Sequence, residues 1–177
     1  LMRRALVRHF GAEPRGAWLT ERVWEPELPE TLAAAGIRYT MLDTNQFQSA
    51  KPFLPADQQV QDDQAWDVLG CYAAGYAGST TIVFPASQRL RYWLPFEPVE
   101  RTIEWLRRLA RPDGPAVTFA DDGEKFGLWP MTYDWVHNKG WLSSWFEALD
   151  RERAWLRTAT FSEYLAEREP AGRVELP

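Results

Sequence analysis

The sequence is poor in the residues that build disulfide frameworks and metal centres. It contains one cysteine, Cys71, and two histidines among 177 residues. A single cysteine excludes an internal disulfide and a site with several thiolate ligands. Neither His9 nor His137 has a second histidine or cysteine at ligand spacing, so we expect no metal site. The lone cysteine favours a reducing compartment, and we therefore expect a cytoplasmic protein.

Long apolar runs and an excess of basic residues are also absent. No apolar run approaches the roughly 20 residues that a membrane span needs, and Leu1-Met-Arg-Arg4 does not lead into a signal-like apolar segment. The formal net charge is −5, and no basic stripe is interleaved with aromatic residues. We expect neither a membrane nor a nucleic acid as partner, whereas the composition does not indicate an oligomeric state.

Tryptophan is the residue type that the sequence has in unusual abundance. There are ten tryptophans, and the apolar fraction of 45% is enough for one hydrophobic core and a single domain. Tryptophan faces stack on sugar rings, but they also fill protein cores. The tryptophan content is therefore a modest indication of carbohydrate binding.

Alternating β-type and amphipathic segments predict an α/β fold. Pro26 and Pro29 suit the start of a helix that ends at Gly36, and Ser87 is a candidate N-cap. Such alternation predicts a parallel sheet that binds ligands at the carboxyl ends of its strands. The predicted strands are 17–20, 37–42, 80–84 and 117–120, and the predicted helices are 2–10, 27–35, 88–93, 99–111, 141–156 and 160–168.

Residues 44–78 have no clear periodicity, and we predict a long loop with short hairpin strands at the same end of the sheet. A barrel with its site at the carboxyl face of the strands explains the pattern economically. Four parallel strands cannot close a barrel, so we expect the second half of one, followed by helices.

Three carboxylates follow the predicted strand 117–120. Asp121, Asp122 and Glu124 are crowded around Gly123. Carboxylates at the end of a buried strand are costly to desolvate unless they are paired or functional. The same residues also spell a solvated Asp-Asp-Gly turn, and this stretch alone does not separate the two interpretations.

Two further strand ends carry an acidic residue and favour the functional interpretation. The first predicted strand is followed by Glu21 and the second by Asp43. Glycoside cleavage with retention needs two carboxyl groups about 5–5.5 Å apart, one as nucleophile and one as general acid and base. The nucleophile should stay ionised, and a neighbouring cation helps; Arg22 follows Glu21 directly, although on a strand its side chain would point the other way. Spacing does not show which of Asp121, Asp122 and Glu124 is the acid.

Two long motifs strongly resemble signature regions of glycoside hydrolase family 57, in its 4-α-glucanotransferase and α-amylase branch. They are Gly16-Ala-Trp-Leu-Thr-Glu-Arg-Val-Trp-Glu-Pro26 and Asp121-Asp-Gly-Glu-Lys-Phe-Gly127. Residues 91–98, 129–133 and 140–142 resemble the same branch, so the similarity covers nearly the whole chain. It implies an incomplete seven-stranded (β/α) barrel followed by a helical region, acting on α-1,4-glucans without a cofactor or catalytic metal.

The resemblance also implies roles for individual residues. Glu21 matches the nucleophile of the family and Asp122 its general acid/base, while Glu124 matches an acidic residue that positions sugar hydroxyls. Trp18 and Trp24 flank the acids and are candidates for either sugar contact or packing. The predicted substrate-binding residues are Glu124, Asp121, Asp43 and Trp129.

Some family features are missing or changed. A His and a Glu of the first half of the family barrel would lie upstream of Leu1, and Asp43-Thr-Asn-Gln-Phe47 keeps only part of the usual Asp-Asp-x-His-Phe. We expect residues 1–177 to be a fragment of a single catalytic barrel domain, truncated at both ends, with the start of the helical region, and inactive alone. The predicted activity is 4-α-glucanotransferase; the alternatives are an α-amylase or an inactive relative that binds glucan.

Overall fold

The computed structural model of the chain describes residues 2–112 and 114–177. It consists of short strands surrounded by helices and turns. The strands are β1 (Gly16–Ala17), β2 (Tyr39–Asp43), β3 (Gln59–Gln61), β4 (Trp66–Val68), β5 (Tyr72–Tyr76), β6 (Ser79–Ala86) and β7 (Arg173–Val174). The helices are α1 (Met2–Phe10), α2 (Leu28–Ala34), α3 (Gln88–Trp93), α4 (Val99–Leu109), α5 (Trp141–Arg151) and α6 (Phe161–Glu167).

The main sheet has the order β1-β2-β6-β5-β7. Strands β1, β2 and β6 are parallel to one another, and Thr118 adds a parallel bridge to Ala86. These four parallel chain segments, with α2 between β1 and β2 and with α3 and α4 between β6 and Thr118, confirm the predicted α/β fold class. β5 is antiparallel to β6, so the sheet as a whole is mixed.

The predicted strand 117–120 is reduced to that single bridge at Thr118. β5 occupies the same side of β6 from Ser79 to Val83, which leaves only the end of β6 available for pairing. Pro115 also lacks a backbone N–H and cannot extend a ladder. The chain nevertheless reaches the carboxyl end of β6, where Ser87 N donates to Thr118 O at 2.8 Å.

Residues 44–78 are more ordered than a long loop. They contain three single turns, the antiparallel pair β3–β4 and strand β5, which belongs to the main sheet. Phe47, Val68 and Tyr72 are almost fully buried in one core cluster. The short hairpin strands were predicted, but the packing of this segment into the core was not.

The predicted helices occur with shifted ends. Ser87 caps α3, since its Oγ accepts from Leu90 N at 3.1 Å, and Thr160 forms a capping box with Glu163 at the start of α6. Helix α5 ends at Arg151 rather than at residue 156. Among residues 2–112 and 114–177, no helix is long and apolar enough to cross a membrane.

The tryptophans differ in how far they are buried. Trp24 is 6% exposed and belongs to the core beneath the sheet, so packing explains it. A second cluster joins α3, α4 and α5 through residues that include Leu90, Ile103 and Trp141. Trp18 and Trp129, in contrast, remain 43% and 44% exposed beside the acidic segments.

Candidate active site

Glu21 lies in a tight turn rather than at the end of a strand. β1 ends at Ala17, and the turn Thr20–Arg22 follows. Glu21 has φ of 51° and Arg22 has φ of 54°. Left-handed conformations are unfavourable for residues with a side chain and persist where surrounding contacts enforce them. The turn leaves Glu21 exposed and buries Arg22.

The contacts that hold this turn come from the end of β2 and the residues after it. Arg22 Nε lies 2.9 Å from Asp43 Oδ1, and Gln46 Nε2 donates to Arg22 O at 3.5 Å. On the outer side, the Arg22 guanidinium lies 5.3 Å from the centre of the Trp18 ring. The backbone at Glu21 is therefore tied to the carboxyl end of the neighbouring strand.

The second acidic segment follows the bridge at Thr118. Asp121 turns inward, with its side chain 7% exposed, and its Oδ1 accepts from Asp122 N at 2.9 Å. Asp122 and Glu124 are exposed. Within the turn Gly123–Phe126, Glu124 is exposed whereas the next residue, Lys125, is buried.

Lys125 is a buried cation behind the exposed carboxylates. It is 1% exposed, and its Nζ donates to Asp121 Oδ2 and to Arg91 O, both at 2.5 Å. The rings of Phe96 and Phe119 lie 5.6 and 5.4 Å from the ammonium group. Burial lowers the pKa of Lys125, and the adjacent Asp121 carboxylate opposes that change.

Arg91 connects the two acidic segments. Its Nη1 donates to Asp43 Oδ1 at 2.9 Å, and its Nε lies 3.6 Å from Asp121 Oδ1. Five side chains of alternating charge thus follow one another below the exposed acids. We call them the charge chain: Arg22, Asp43, Arg91, Asp121 and Lys125.

An exposed aromatic surface continues from the Asp122 segment. The backbone oxygen of Glu124 accepts from the N–H groups of Gly127, Leu128 and Trp129, which closes a backbone turn that ends at Trp129. The Trp129 ring stacks on Phe96, with centroids 6.2 Å apart and planes at 19°. An open cavity of about 310 Å³ adjoins this pair and is lined by Phe96, Pro130, Met131, Thr132 and Trp135.

The predicted site residues fall into two groups. Glu21, Asp122 and Glu124 are exposed, whereas Asp43 and Asp121 belong to the charge chain. Sequence reasoning expected the Arg22 side chain to point away from Glu21 on a strand, and it did not identify Arg91 or Lys125 as site residues. Two signals pointed to them: Asp121 and Lys125 are four residues apart, and Arg91 follows the Ser87 cap within one turn of helix.

Metal ligation is not evident in the described part of the chain. Residues 2–112 and 114–177 contain no cluster of three or more His, Cys, Asp or Glu side chains that could hold an ion. His137 Nε2 lies 2.8 Å from Phe126 O and packs against Tyr133. Its contacts are those of a structural residue that supports the turn after Lys125.

Two exposed acids, Glu21 and Asp122, thus lie on turns that follow parallel segments of the sheet. The family model for glycosyl hydrolase family 57 matches residues 1–177, and the chain belongs to that family.

Curated relatives include both enzymes of the branch that the motifs resemble. The chain is 43% identical over 172 residues to an alpha-amylase of Pyrococcus abyssi and 42% identical to the 4-alpha-glucanotransferase of Thermococcus litoralis. Each alignment covers 97% of this chain and 24% of the relative. The chain therefore spans about a quarter of the length of these curated relatives.

Solved structures agree with the fold. The 4-alpha-glucanotransferase of Thermococcus litoralis superposes with a TM-score of 0.85 at 40% identity, over 99% of this chain and 26% of that one. A family 57 branching enzyme of Thermococcus kodakaraensis superposes with a TM-score of 0.62 at 18% identity, covering 99% of this chain and 44% of that one. The second similarity concerns the fold alone.

Proposed function

We propose that this chain is part of the catalytic barrel domain of an α-1,4-glucan-active enzyme, a 4-α-glucanotransferase that works with retention. The observation that carries the proposal is the placement of two exposed carboxylates, Glu21 and Asp122, on segments joined through the charge chain. The 42% identity to a 4-alpha-glucanotransferase supports the same choice. A cytoplasmic location accords with a single buried, reduced cysteine.

The proposed reaction has two steps. Glu21 attacks the anomeric carbon of an α-1,4-linked glucose while Asp122 gives its proton to the departing 4-oxygen, so one C–O bond breaks as another forms. The hydroxyl of an acceptor glucan then attacks the same carbon from the other side. Asp122 takes the proton of that hydroxyl, Glu21 leaves as a carboxylate, and two inversions give overall retention.

The remaining predicted residues have supporting roles. Glu124 is exposed two residues after Asp122, and its proposed role is to accept hydrogen bonds from sugar hydroxyls. Trp129 presents a face to solvent while Phe96 supports the other side of the ring, an arrangement suited to stacking on a sugar. Asp43 and Asp121 are proposed to contact substrate as well. Arg22, Arg91 and Lys125 already bind oxygen atoms of these two carboxylates, so a sugar hydroxyl would share them.

Product analysis on maltopentaose with the full-length protein that carries this chain tests the proposal. We expect a ladder of shorter and longer maltooligosaccharides. Glu21→Gln should abolish it, and Asp122→Asn should slow it about 10²–10⁴-fold, since a positioned general acid contributes that much. Variants that keep the full rate would contradict the assignment of the two carboxylates.

An α-amylase is the second candidate, because an alpha-amylase is 43% identical to this chain. Both reactions share the glycosyl-enzyme step and differ in whether water or a sugar hydroxyl attacks next. A net gain of reducing ends without longer products would identify the hydrolase. A well-folded full-length protein that binds maltopentaose without turnover would leave the inactive, glucan-binding alternative.

A further inference from the structure

The helix that carries Arg91 is fixed at its start. Ser87 caps α3, and the buried carboxylate of Asp67 accepts from Gln88 N at 2.7 Å. Leu90 packs into the helical core cluster at 4% exposure. Arg91 thus projects towards the acidic segments from a short helix that is tied both to the end of β6 and to the β3–β4 pair, and its backbone oxygen is held by Lys125.

We infer that Arg91 is a positioning residue that sets the separation between Glu21 and Asp122. The inference rests on the proposed function, since it concerns the two carboxylates of that reaction. Arg91 itself has its side chain 22% exposed, and its contacts are with neighbouring carboxylates rather than with the two proposed reacting groups.

The connection from Arg91 to Glu21 runs through one oxygen atom. Asp43 Oδ1 is 2.9 Å from Arg91 Nη1 and also 2.9 Å from Arg22 Nε. Arg22 is the residue after Glu21, and both have positive φ. A turn of two left-handed residues depends on outside contacts to persist, and the Asp43 carboxylate, itself held by Arg91, provides such a contact.

The connection from Arg91 to Asp122 also runs through one oxygen atom. Asp121 Oδ1 lies 3.6 Å from Arg91 Nε and accepts from Asp122 N at 2.9 Å. Lys125 holds the second oxygen of the same carboxylate. Among the contacts of the described residues, Arg91 is the one cation that Asp43 and Asp121 share. Displacing Arg91 therefore removes a contact from the Glu21 segment and from the Asp122 segment at once.

The shape of the guanidinium group matters more here than its charge. Arginine presents a rigid planar fork that can reach two carboxylates from two nitrogen atoms, whereas the lysine ammonium is a single flexible point charge. A displacement of about 1 Å in a reacting group can cost about 10²-fold in rate. Arg91→Lys keeps the positive charge and loses the fork, so it separates positioning from simple charge balance.

The test is steady-state kinetics of the full-length protein with Arg91→Lys, beside a matched control. Arg108→Lys makes the same chemical change on α4, where Arg108 is exposed and pairs with Glu104. We expect kcat to fall about 10²-fold in Arg91→Lys with KM nearly unchanged, and the control to match wild type. Asp43→Asn, which removes the charge on the Glu21 side and leaves the contact between Arg91 and Asp121, should give a smaller fall in kcat.

A maltosyl fluoride substrate shows whether both carboxylates are displaced. Fluoride leaves without help from a proton donor, so Asp122→Asn should regain much of the first step on this substrate. Arg91→Lys should remain slow on it, because its nucleophile is misplaced as well.

Several results would overturn the inference. These are an unchanged kcat in Arg91→Lys, a change confined to KM, or a fall in kcat that is absent when the fluoride substrate is used. A fall in kcat that vanishes when assays are run far below the melting temperature would assign Arg91 a role in stability only. If wild type and Glu21→Gln are equally inactive on both substrates, the proposed function fails and the inference falls with it.

Discussion

Helix α3 carries two arginines, Arg89 and Arg91, that differ in burial and in the segments they contact. Arg89 is 4% exposed; it lies 2.6 Å from Asp62 and 3.7 Å from Asp67, with its guanidinium near two tryptophan rings. Arg91 is more exposed and joins Asp43 to Asp121. Both arginines bridge two carboxylates, so neither residue type nor partner type separates them. What differs is the sequence next to the partners.

The partners of Arg89 lie in the β3–β4 hairpin, which is a different part of the chain from the segments that carry Glu21 and Asp122. Asp67 is completely buried, and desolvation raises the pKa of its carboxyl group. The partners of Arg91 instead adjoin the turns that carry Glu21 and Asp122. We therefore expect Arg89 to hold the β3–β4 hairpin on the rest of the fold and Arg91 to position the two exposed acids. The substitutions below test whether the two arginines differ in this way.

The largest loss of stability is expected for Arg89→Met. Removing one partner of a buried ion pair leaves an uncompensated charge and costs about 3–5 kcal/mol. Urea unfolding of the full-length protein, followed by a probe of this domain, measures the loss. Activity per folded molecule should stay near wild type, and a specific loss of kcat like that of Arg91→Lys would remove the distinction between the two arginines.

Lys125→Met should have the next largest effect on stability. It leaves the Asp121 carboxylate buried beside Arg91 alone, and the loss of a buried polar partner costs about 2 kcal/mol. Adding Asp121→Asn should recover part of that loss, because an amide is cheaper to bury and its oxygen can still accept from Asp122 N. Unfolding of the two single variants and the double variant measures this coupling, and strict additivity would contradict the pairing.

Acid should weaken the attachment made by Arg89. The hydrogen bond from Arg89, aided by the N–H groups of Gln64 and Ala65, lowers the pKa of Asp62 to about 2 from 3.8. Since the folded-state pKa is the lower one, the contribution is present above pH 3.8 and is lost as the pH falls towards 2. Asp62→Asn should flatten this part of the stability profile, and an unchanged profile would contradict the assignment.

The smallest effect is expected for Gly127→Ala, at the end of the turn behind Lys125. Gly127 has φ of 151°, and an added Cβ would lie 3.1 Å from His137 Nε2. A residue with a side chain at such a φ costs about 1 kcal/mol or more. We expect a modest fall in melting temperature with little change in kcat; a large fall in kcat would show that this turn also positions Asp122.

The sequence predicted the parallel strands, the capped helices and the acids after the strands, because hydrophobic periodicity and capping residues are local signals. It did not predict that Arg91 lies between Asp43 and Asp121, which are 48 and 30 positions away in the chain. Nor did it indicate the left-handed turn at Glu21. Both features depend on contacts between distant segments, which no local pattern encodes.

The central claim, that Glu21 and Asp122 form a retaining pair, is tested most directly by trapping the covalent intermediate. The full-length protein would be incubated with a slow maltosyl fluoride analogue, digested and analysed by mass spectrometry. We predict a glycosyl adduct on the peptide at Glu21 in wild type and in Asp122→Asn, and none in Glu21→Gln. An adduct on another carboxylate, or turnover with inversion and no adduct, would contradict the claim.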